Sequence, residues 1–409
     1  MGEYDLKGGF SMTNYLIIGN GVAGTSAAEG IRKQDKEGKI TVITEEELPF
    51  YYRLRLNEYL AGDIDEQSLI AKGDQWYKDL AIDLILNTRV VGADPGKKLV
   101  ETENDLTFSY DRLLIATGSH SFVPPITGSD KTGVFTLRSV LDARNISSYV
   151  KNIEDVVLIG GGLLGLEAGN ALRKLGKKVM VVEFFPRLLP RQLDPDGAKR
   201  LQDTMEKMGF SFRLGAKTSE ITGKEKVTGV MLEGGEQLPA GMVIISAGVR
   251  PNMELAEPLG LHCDKGIQVN EHLKTNQDHI FAAGDVAEFR GMPYGIWPAA
   301  MEQGKIAGAV MADGDAAYQG TIMANTLKVA GIDLASAGNI DAQGEFESKV
   351  VTDEHIYKKL VIEKDRIIGC IMLGNTIDFN KITKIMLAKK NVSQIKENIL
   401  SEDFDFKNL

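Results

Sequence analysis

Residues 15–24 read YLIIGNGVAG, and the reading of this stretch decides the fold. Tyr15, Leu16, Ile17 and Ile18 suit a buried strand. They run into Gly19-Asn20-Gly21-Val22-Ala23-Gly24 and then into a helix-compatible segment, TSAAEGIRK. Strand, glycine turn and helix open a dinucleotide-binding βαβ unit. Gly19 permits the tight turn, Gly21 lets the backbone approach a pyrophosphate, and Gly24 lets the helix pack close to the strand. The first-turn N–H groups and the helix dipole then face the phosphate charge. One such turn is weak evidence, because any glycine-rich strand-to-helix connection imitates it.

A second copy strengthens it. VVLIGGGLLG, residues 156–165, repeats the spacing with Gly160, Gly162 and Gly165. The helix LEAGNALRKLG follows, then a strand, KKVMVVE, ending at Glu183. Glu183 lies 23 residues after Gly160, close to the roughly 20 expected of a carboxylate that takes ribose hydroxyls. In the first unit ITVITEEE brings Glu45 and Glu46 to the end of the second strand. Two dinucleotide sites in one chain point to a bound flavin dinucleotide and a diffusing nicotinamide dinucleotide.

The 409 residues suffice for two or three domains with cores of their own. With 43% hydrophobic and 25% charged residues the composition is that of an ordinary globular protein. A net charge of −10 argues against nucleic acid as the main partner, since phosphate binding needs a basic face. No apolar run approaches the roughly 20 residues of a membrane-spanning helix, so no membrane partner is expected. MGEYDLKGGFSM lacks the basic and apolar regions of a signal peptide; Met12 is an alternative start, with residues 1–11 a leader or an added remnant. Cys263 and Cys370 are the only cysteines. That number rules out a disulfide framework and four-cysteine zinc or iron–sulfur sites, and it fits the reducing cytoplasm. The five histidines show no metal-ligand spacing, so no metal site is expected.

Along the chain, 54–60 reads as a short helix and 75–87 as a helix then a strand. KLVETE and LTFSY read as a hairpin. The strand Leu113-Leu114-Ile115-Ala116-Thr117-Gly118 is mirrored by Ile244-Ile245-Ser246-Ala247-Gly248. A third strand of this kind, Ile280 onward, ends on Asp285. Helices are expected over 194–208 and about 301–311. The last part is mostly β, closing in Lys- and Ile-rich helical segments. These readings divide the chain at 12–122, 123–246, 247–323 and 324–409.

The ordered set GNGVAG, LLIATG, GGGLLGLE, VVE, ISAGVRPN and IFAAGDVAEF resembles the two-dinucleotide-domain flavoprotein reductases, the pyridine nucleotide-disulfide oxidoreductase superfamily. The likeness covers roughly residues 12–320. LPFYYRLRLNEYLAG and the C-terminal part look most like NADH:rubredoxin oxidoreductases and the flavin part of nitrite reductase large subunits. The resemblance implies an α/β fold: two Rossmann-like domains, FAD- and NAD-binding, each three-layered with a parallel sheet and a β-meander, and a small α+β C-terminal domain. It implies that residues 12–122 and 247–323 bind FAD and 123–246 bind NAD.

By position, the resemblance gives Gly19, Gly21, Val22, Ala23 and Gly24 to the FAD pyrophosphate. Glu45 or Glu46 would take the adenosine ribose, the register staying open by one. Arg53 would lie along the phosphates, Val90 would meet the adenine by backbone, and Ala116, Thr117 and Gly118 would line the cofactor. Arg138 matches a flavin-contacting arginine, Asp285 the aspartate on the ribityl chain, and Trp297 a residue near the pyrimidine edge. For Asp285 a plain helix cap, and for Trp297 plain core packing, stay open. Gly160, Gly162, Leu163, Leu164 and Gly165 would hold the NAD pyrophosphate, with Glu183 on the ribose diol and Glu167 and Gly248 near the nicotinamide. A carboxylate at Glu183 favours NADH over NADPH; Arg187 and Arg191 just beyond leave NADPH open.

Two departures redirect the function. Thiol members carry CxxxxC near the first turn, and this chain has no cysteine before Cys263, which disfavours disulfide substrates. Ferredoxin-reductase relatives have a lysine where this chain has Glu58. Glu58 and Glu167 would then be two carboxylates near flavin and nicotinamide, sharing a proton or held apart, and neither is assigned as an acid. The resemblance implies electron flow from NADH through FAD to a small iron redox protein such as rubredoxin, by a monomer or homodimer. The alternatives are an NADH oxidase, the flavin subunit of a nitrite reductase, or a non-catalytic FAD scaffold.

Overall fold

A computed structural model describes residues 12–401 and 404–406; the leader expected at 1–11 lies outside them. The helices in chain order are α1 (Val22–Gln34), α2 (Leu56–Ala61), α3 (Asp74–Asp79), α4 (Val140–Tyr149), α5 (Leu163–Lys174), α6 (Pro195–Lys207), α7 (Trp297–Met311) and α8 (Phe379–Leu387). Among the described residues no helix is long and apolar enough to cross a membrane. The chain forms two compact units. One gathers residues up to 52, 66–120 and 250–321; the other gathers 53–65, 121–249 and 322 onward.

In the first unit, five strands lie in the order Ile280–Ala282, Arg112–Ile115, Asn14–Ile18, Lys39–Ile43, Ile82–Ile85. All neighbours are parallel. Leu16, Ile17, Leu113, Leu114 and Ile115 are wholly buried, the unbroken apolar run that a parallel sheet covered on both faces demands. One face packs against Ala27, Ile31, Ala307 and Met311 of α1 and α7, the other against Val100, Leu255 and Leu259. The expected hairpin is present, and the strand before it pairs with it: Val90–Asp94, Leu99–Thr102 and Thr107–Ser109 form an antiparallel meander. Helix α7 begins at Trp297, four residues before the expected 301, with proline in its first turn where a missing N–H costs nothing. It also runs close to α1, since a Cβ on Gly308 would sit 2.1 Å from the Ala27 carbonyl oxygen.

The second unit repeats the scheme. Its parallel sheet runs Phe210–Leu214, Lys178–Glu183, Asp155–Ile159, Met242–Ile245, Val134–Phe135. A second meander, Thr218–Thr222, Gly229–Leu232 and Gln237–Pro239, accompanies it. The C-terminal part is a five-stranded antiparallel sheet in the order Ala324–Val329, Ile332–Gly338, Arg366–Leu373, Tyr357–Glu363, Glu347–Thr352. Phe379, Ile382 and Ile385 of α8 close its core. Residues 53–65, placed with the first domain on sequence grounds, are grouped with the second unit. There Leu60 joins the cluster of Leu166, Leu172 and Ile146.

Within this unit a buried polar knot ties the C-terminal sheet to α6. Asp194 caps α6 by accepting from the Gly197 N–H at 3.0 Å. The same carboxylate accepts from the Tyr357 hydroxyl at 2.7 Å and from Lys359 Nζ at 3.0 Å, with the Lys359 and Asp194 side chains only 8% and 6% exposed. Burial, then the Asp194 carboxylate, pushes the Tyr357 phenol well above its ordinary range. Removing one partner of a buried pair costs about 3–5 kcal/mol. Asp194→Ala is therefore expected to lower the denaturant midpoint by that equivalent, with Asp194→Asn, which keeps the cap, falling between it and the parent.

Candidate dinucleotide sites

The two glycine turns are superimposable in their bonding. Gly19 N–H donates to the Ile43 carbonyl and Gly160 N–H to the Val182 carbonyl, both at 2.8 Å. Gly19 has φ +110° and Gly160 φ +116°, values that L side chains rarely adopt. A Cβ would lie 2.1 Å from the Ala116 oxygen at Gly19 and 2.3 Å from the Ser246 oxygen at Gly160, so both positions require glycine. Gly24 and Gly165 press on the carbonyls of Gly19 and Gly160.

The middle glycines behave differently. A Cβ on Gly21 or on Gly162 would meet nothing within 4 Å. Both are helix N-caps in extended backbone, and neither α1 nor α5 has a side-chain cap. By contrast, Ser139 and Asp194 cap α4 and α6. First-turn N–H groups of a helix need acceptors, and at the starts of α1 and α5 the space a Cβ on Gly21 or Gly162 would enter is clear, as a pyrophosphate site requires. Asn20, inside the first turn, adds an orphan donor: its Oδ1 accepts from the Tyr77 hydroxyl at 3.0 Å, while its buried Nδ2 has no partner among the described residues. A dinucleotide phosphate fits both turns. Val22 and Ala23 open α1, and Leu163 and Leu164 open α5.

Strand register places the acids at the strand ends. Ile18 pairs with Ile43, and Ile159 with Val182. In strand register the counterpart of Glu183 is therefore Thr44, with Glu45 and Glu46 directly after it. The strand ends at Ile43, and the Thr44 N–H bonds the Ile85 carbonyl of the neighbouring strand at 2.9 Å. Glu45 lies one residue further on, exposed and paired with Arg89 at 3.7 Å. Glu46 accepts from the Tyr51 hydroxyl at 3.0 Å. Glu183 itself is buried. Its Oε2 accepts from the Gly161 N–H at 2.5 Å and its Oε1 from the Phe185 N–H at 2.8 Å, so it clamps the very turn it follows. Phe184 and Phe185 stand exposed beside it at 63% and 51%. Arg187 turns back onto the carbonyls of Leu193 and Pro190.

In the first unit, Thr117 Oγ1 donates to the Asn252 carbonyl and Asn252 Nδ2 returns a bond to the Thr117 carbonyl, both at 2.8 Å. The Ser119 hydroxyl donates to Asp285 at 2.7 Å. Asp285 caps no helix, since α7 starts at Trp297 with Ile296 at its N-cap. Trp297 is not core: it stacks on Tyr52 at 5.8 Å and 25° and meets Phe50 at 5.8 Å. Val90 is buried in the meander, and Ala116 N–H bonds the Ile18 carbonyl. Asn20, Ser119 and Asn252 went unnoticed in the sequence because their partners lie far away along the chain.

In the second unit, Arg53 donates to the Arg138 carbonyl at 2.9 Å, and Arg138 N–H to Asp142 at 2.9 Å. A cleft is lined by Leu137, Leu164, Ala168, Ser246, Gly248 and Val249. Glu167 sits on the same turn of α5. Burial pushes its pKa up to about 7, the Ala330 N–H bond lowers it, the Glu58 carboxylate raises it and Lys174 lowers it. Glu58 is bound by Arg55 at 2.9 Å. The two carboxylates are thus distinguished, one in an ion pair and one buried.

The paired turns and these lining residues match a known family: the model described as pyridine nucleotide-disulphide oxidoreductase fits residues 13–304. The chain belongs to the pyridine nucleotide-disulphide oxidoreductase family. Residues 324–390 match a second model, the rubredoxin NAD+ reductase C-terminal domain. Among relatives of this reductase family, a nitrite reductase [NAD(P)H] of Bacillus subtilis is 35% identical over 93% of this chain, which spans only 48% of that relative. NADH-rubredoxin oxidoreductase of Clostridium acetobutylicum is 31% identical over 97% of this chain and 99% of its own length. The crystal structure of NADH:rubredoxin oxidoreductase from the same organism aligns with a TM-score of 0.81 and 30% identity, over 95% of this chain and 98% of that one. Unlike a dithiol reductase, this family member has two free thiols. Cys370 is buried, its pKa raised to about 12 by that burial.

Proposed function

We propose that the protein is an NADH-dependent FAD reductase that passes electrons to a small iron redox protein, rubredoxin being the first candidate. One observation carries the reading: two uncapped helix N-termini, each behind a glycine turn with open space at its middle residue. The C-terminal match to the rubredoxin reductase family directs the outlet. When bound, FAD accepts hydride from a nicotinamide and can release electrons singly.

The residues then take these roles. Gly19 to Gly24 and the first turn of α1 hold the FAD pyrophosphate. Glu45 or Glu46 meets the adenosine ribose, Val90 the adenine, and Thr117, Gly118 and Asp285 the remainder of the chain of the cofactor. Arg53, Arg138 and Trp297 are further flavin contacts. Gly160, Gly162, Leu163, Leu164 and Gly165 hold the NADH pyrophosphate. Glu183 takes the ribose diol with its remaining lone pairs, and its charge disfavours a 2′-phosphate. Gly248 lines the nicotinamide cleft. The protein's contribution is orientation, which can supply several kcal/mol.

A second outlet has its own support: a nitrite-reducing partner chain, since this chain spans half of the Bacillus nitrite reductase. A turnover assay decides between outlets. With NADH as donor, oxidised rubredoxin is expected to be reduced at roughly 10–100 per second, well above a [2Fe–2S] ferredoxin or oxygen. Flavin reduction by NADH with no transfer to rubredoxin or ferredoxin would refute the proposed outlet.

A further inference from the structure

The two glycine turns differ at their second residue. The first carries Asn20 between Gly19 and Gly21, the second Gly161 between Gly160 and Gly162. Space decides the difference. In the second turn a Cβ at residue 161 would lie 2.9 Å from Leu188 Cδ2 and 3.1 Å from Glu183 Oε2, so the Glu183 side chain leaves no room for another. In the first turn the register counterpart of Glu183 is Thr44, a shorter side chain, and an asparagine is accommodated and buried.

Bonding fixes which way the Asn20 amide is turned. The Phe50 N–H donates to Tyr77 Oη at 3.1 Å. A backbone N–H can only donate, so the phenol oxygen accepts there and its own proton is left for Asn20. The Tyr77 hydroxyl donates it to Asn20 Oδ1 at 3.0 Å. Oxygen therefore faces Tyr77, and the amide nitrogen does not. Phe50, Tyr77 and Asn20 are all buried, and Asn20 Nδ2 has no partner among the described residues. A buried donor left without an acceptor is costly. The residues on either side of it, Gly19 and Gly21, are only half-buried, and the space a Cβ on Gly21 would enter is clear.

We propose that Asn20 Nδ2 is a further phosphate donor of the first turn, oriented by Tyr77, and that it makes this turn the one that retains its dinucleotide. The inference rests on the assignment of the first turn to the FAD pyrophosphate. Asn20 touches the ligand; Tyr77 acts through Asn20 and is a positioning residue. The second turn has the opposite character. Its Gly161 N–H is spent on Glu183 Oε2 at 2.5 Å. A donor is thereby lost to any phosphate, and a carboxylate of the phosphate's own sign is fixed at the turn. That repulsion suits a site whose occupant must leave at every turnover. An asparagine in one turn and a clamped glutamate in the other thus separate a resident dinucleotide from an exchanging one.

The test titrates flavin-stripped, full-length protein with FAD and follows the quenching of flavin fluorescence. Asn20→Gly copies the second turn and should raise the FAD Kd about ten- to a hundredfold, the scale of one hydrogen bond to a charged group. The same variant should lose flavin on gel filtration under conditions in which the parent keeps it. Asn20→Asp keeps the acceptor for Tyr77 but cannot donate, and should raise the Kd further. The thermal midpoint of each flavin-free variant shows that it folds. Tyr77→Phe should raise the Kd about tenfold in the parent and leave it unchanged in the Asn20→Gly background, while lowering the flavin-free midpoint in both. Non-additivity of that kind separates positioning from general destabilisation. Parent-like Kd values in Asn20→Gly and Asn20→Asp overturn the inference and leave the FAD assignment standing. An equal effect of Tyr77→Phe in both backgrounds overturns the role given to Tyr77. Unimpaired FAD binding by Gly21→Asp overturns the assignment and the inference together.

Discussion

Gly21→Asp is expected to yield a folded, colourless protein without NADH-driven electron transfer. The new Cβ meets nothing within 4 Å, and residue 21 has φ −84° and ψ −165°, which aspartate adopts readily. Aspartate is also a good N-cap, so the carboxylate would satisfy open N–H groups of α1 and stabilise the helix by about a few tenths of a kcal/mol relative to glycine. The same carboxylate occupies the space assigned to the FAD pyrophosphate and carries its sign of charge. Two like charges about 4 Å apart at a partly exposed site repel by about 4 kcal/mol, roughly a thousandfold in affinity. The absorbance of the purified protein and its thermal midpoint check both halves. Flavin should be absent while the flavin-free form is at least as stable as flavin-stripped parent protein. A yellow, active variant would mean that the turn does not hold the cofactor.

Gly162→Asp is expected to separate the two sites. The geometry is the same, with open space at the Cβ and an uncapped helix behind it. This variant should keep its flavin and its colour, and dithionite should bleach it normally. NADH should fail to bleach it except at concentrations raised by about the same thousandfold. Titration of flavin absorbance against NADH under anaerobic conditions measures the shift. Loss of flavin from the Gly162 variant instead would reverse the assignment of the two turns.

Much of this architecture was legible in the chain. Each glycine turn announces itself locally, because strand, turn and helix are adjacent in sequence and the steric demands at Gly19 and Gly160 are met within a few residues of chain. The parallel strands could be read from their unbroken apolar runs. The position of the first acid could not. Helix α1 and the connection after it are each one residue longer than their counterparts at α5, so a count of 23 residues from Gly19 stops at Val42, short of Glu45 and Glu46, and only the pairing of Ile18 with Ile43 puts Thr44 in the place of Glu183. The start of α7 was hidden for another reason. Its buried face is built largely from alanine and glycine, such as Ala299, Ala300, Gly304, Ala307 and Gly308, and small residues carry little hydrophobic periodicity. The grouping of residues 53–65 with the second unit depends on Leu60 finding Leu166 and Leu172, contacts more than a hundred residues away. The same holds for Asp194 with Tyr357 and Lys359, and for Glu167 with Ala330. Long-range pairs of this kind leave no signature in a single sequence. Trp297 illustrates a middle case: its position was noticed, but only the structure shows it stacked on Tyr52 at the head of α7.

The central claim is a sequence of two transfers, from NADH to bound flavin and from flavin to a small iron protein. Anaerobic stopped-flow mixing tests it directly. The holoprotein is first mixed with one equivalent of NADH, then with oxidised rubredoxin. The flavin absorbance should bleach in the first step. It should return in the second as two equivalents of rubredoxin lose their colour, one electron each. Bleaching that persists in the presence of rubredoxin, or flavin that NADH does not bleach at all, would contradict it.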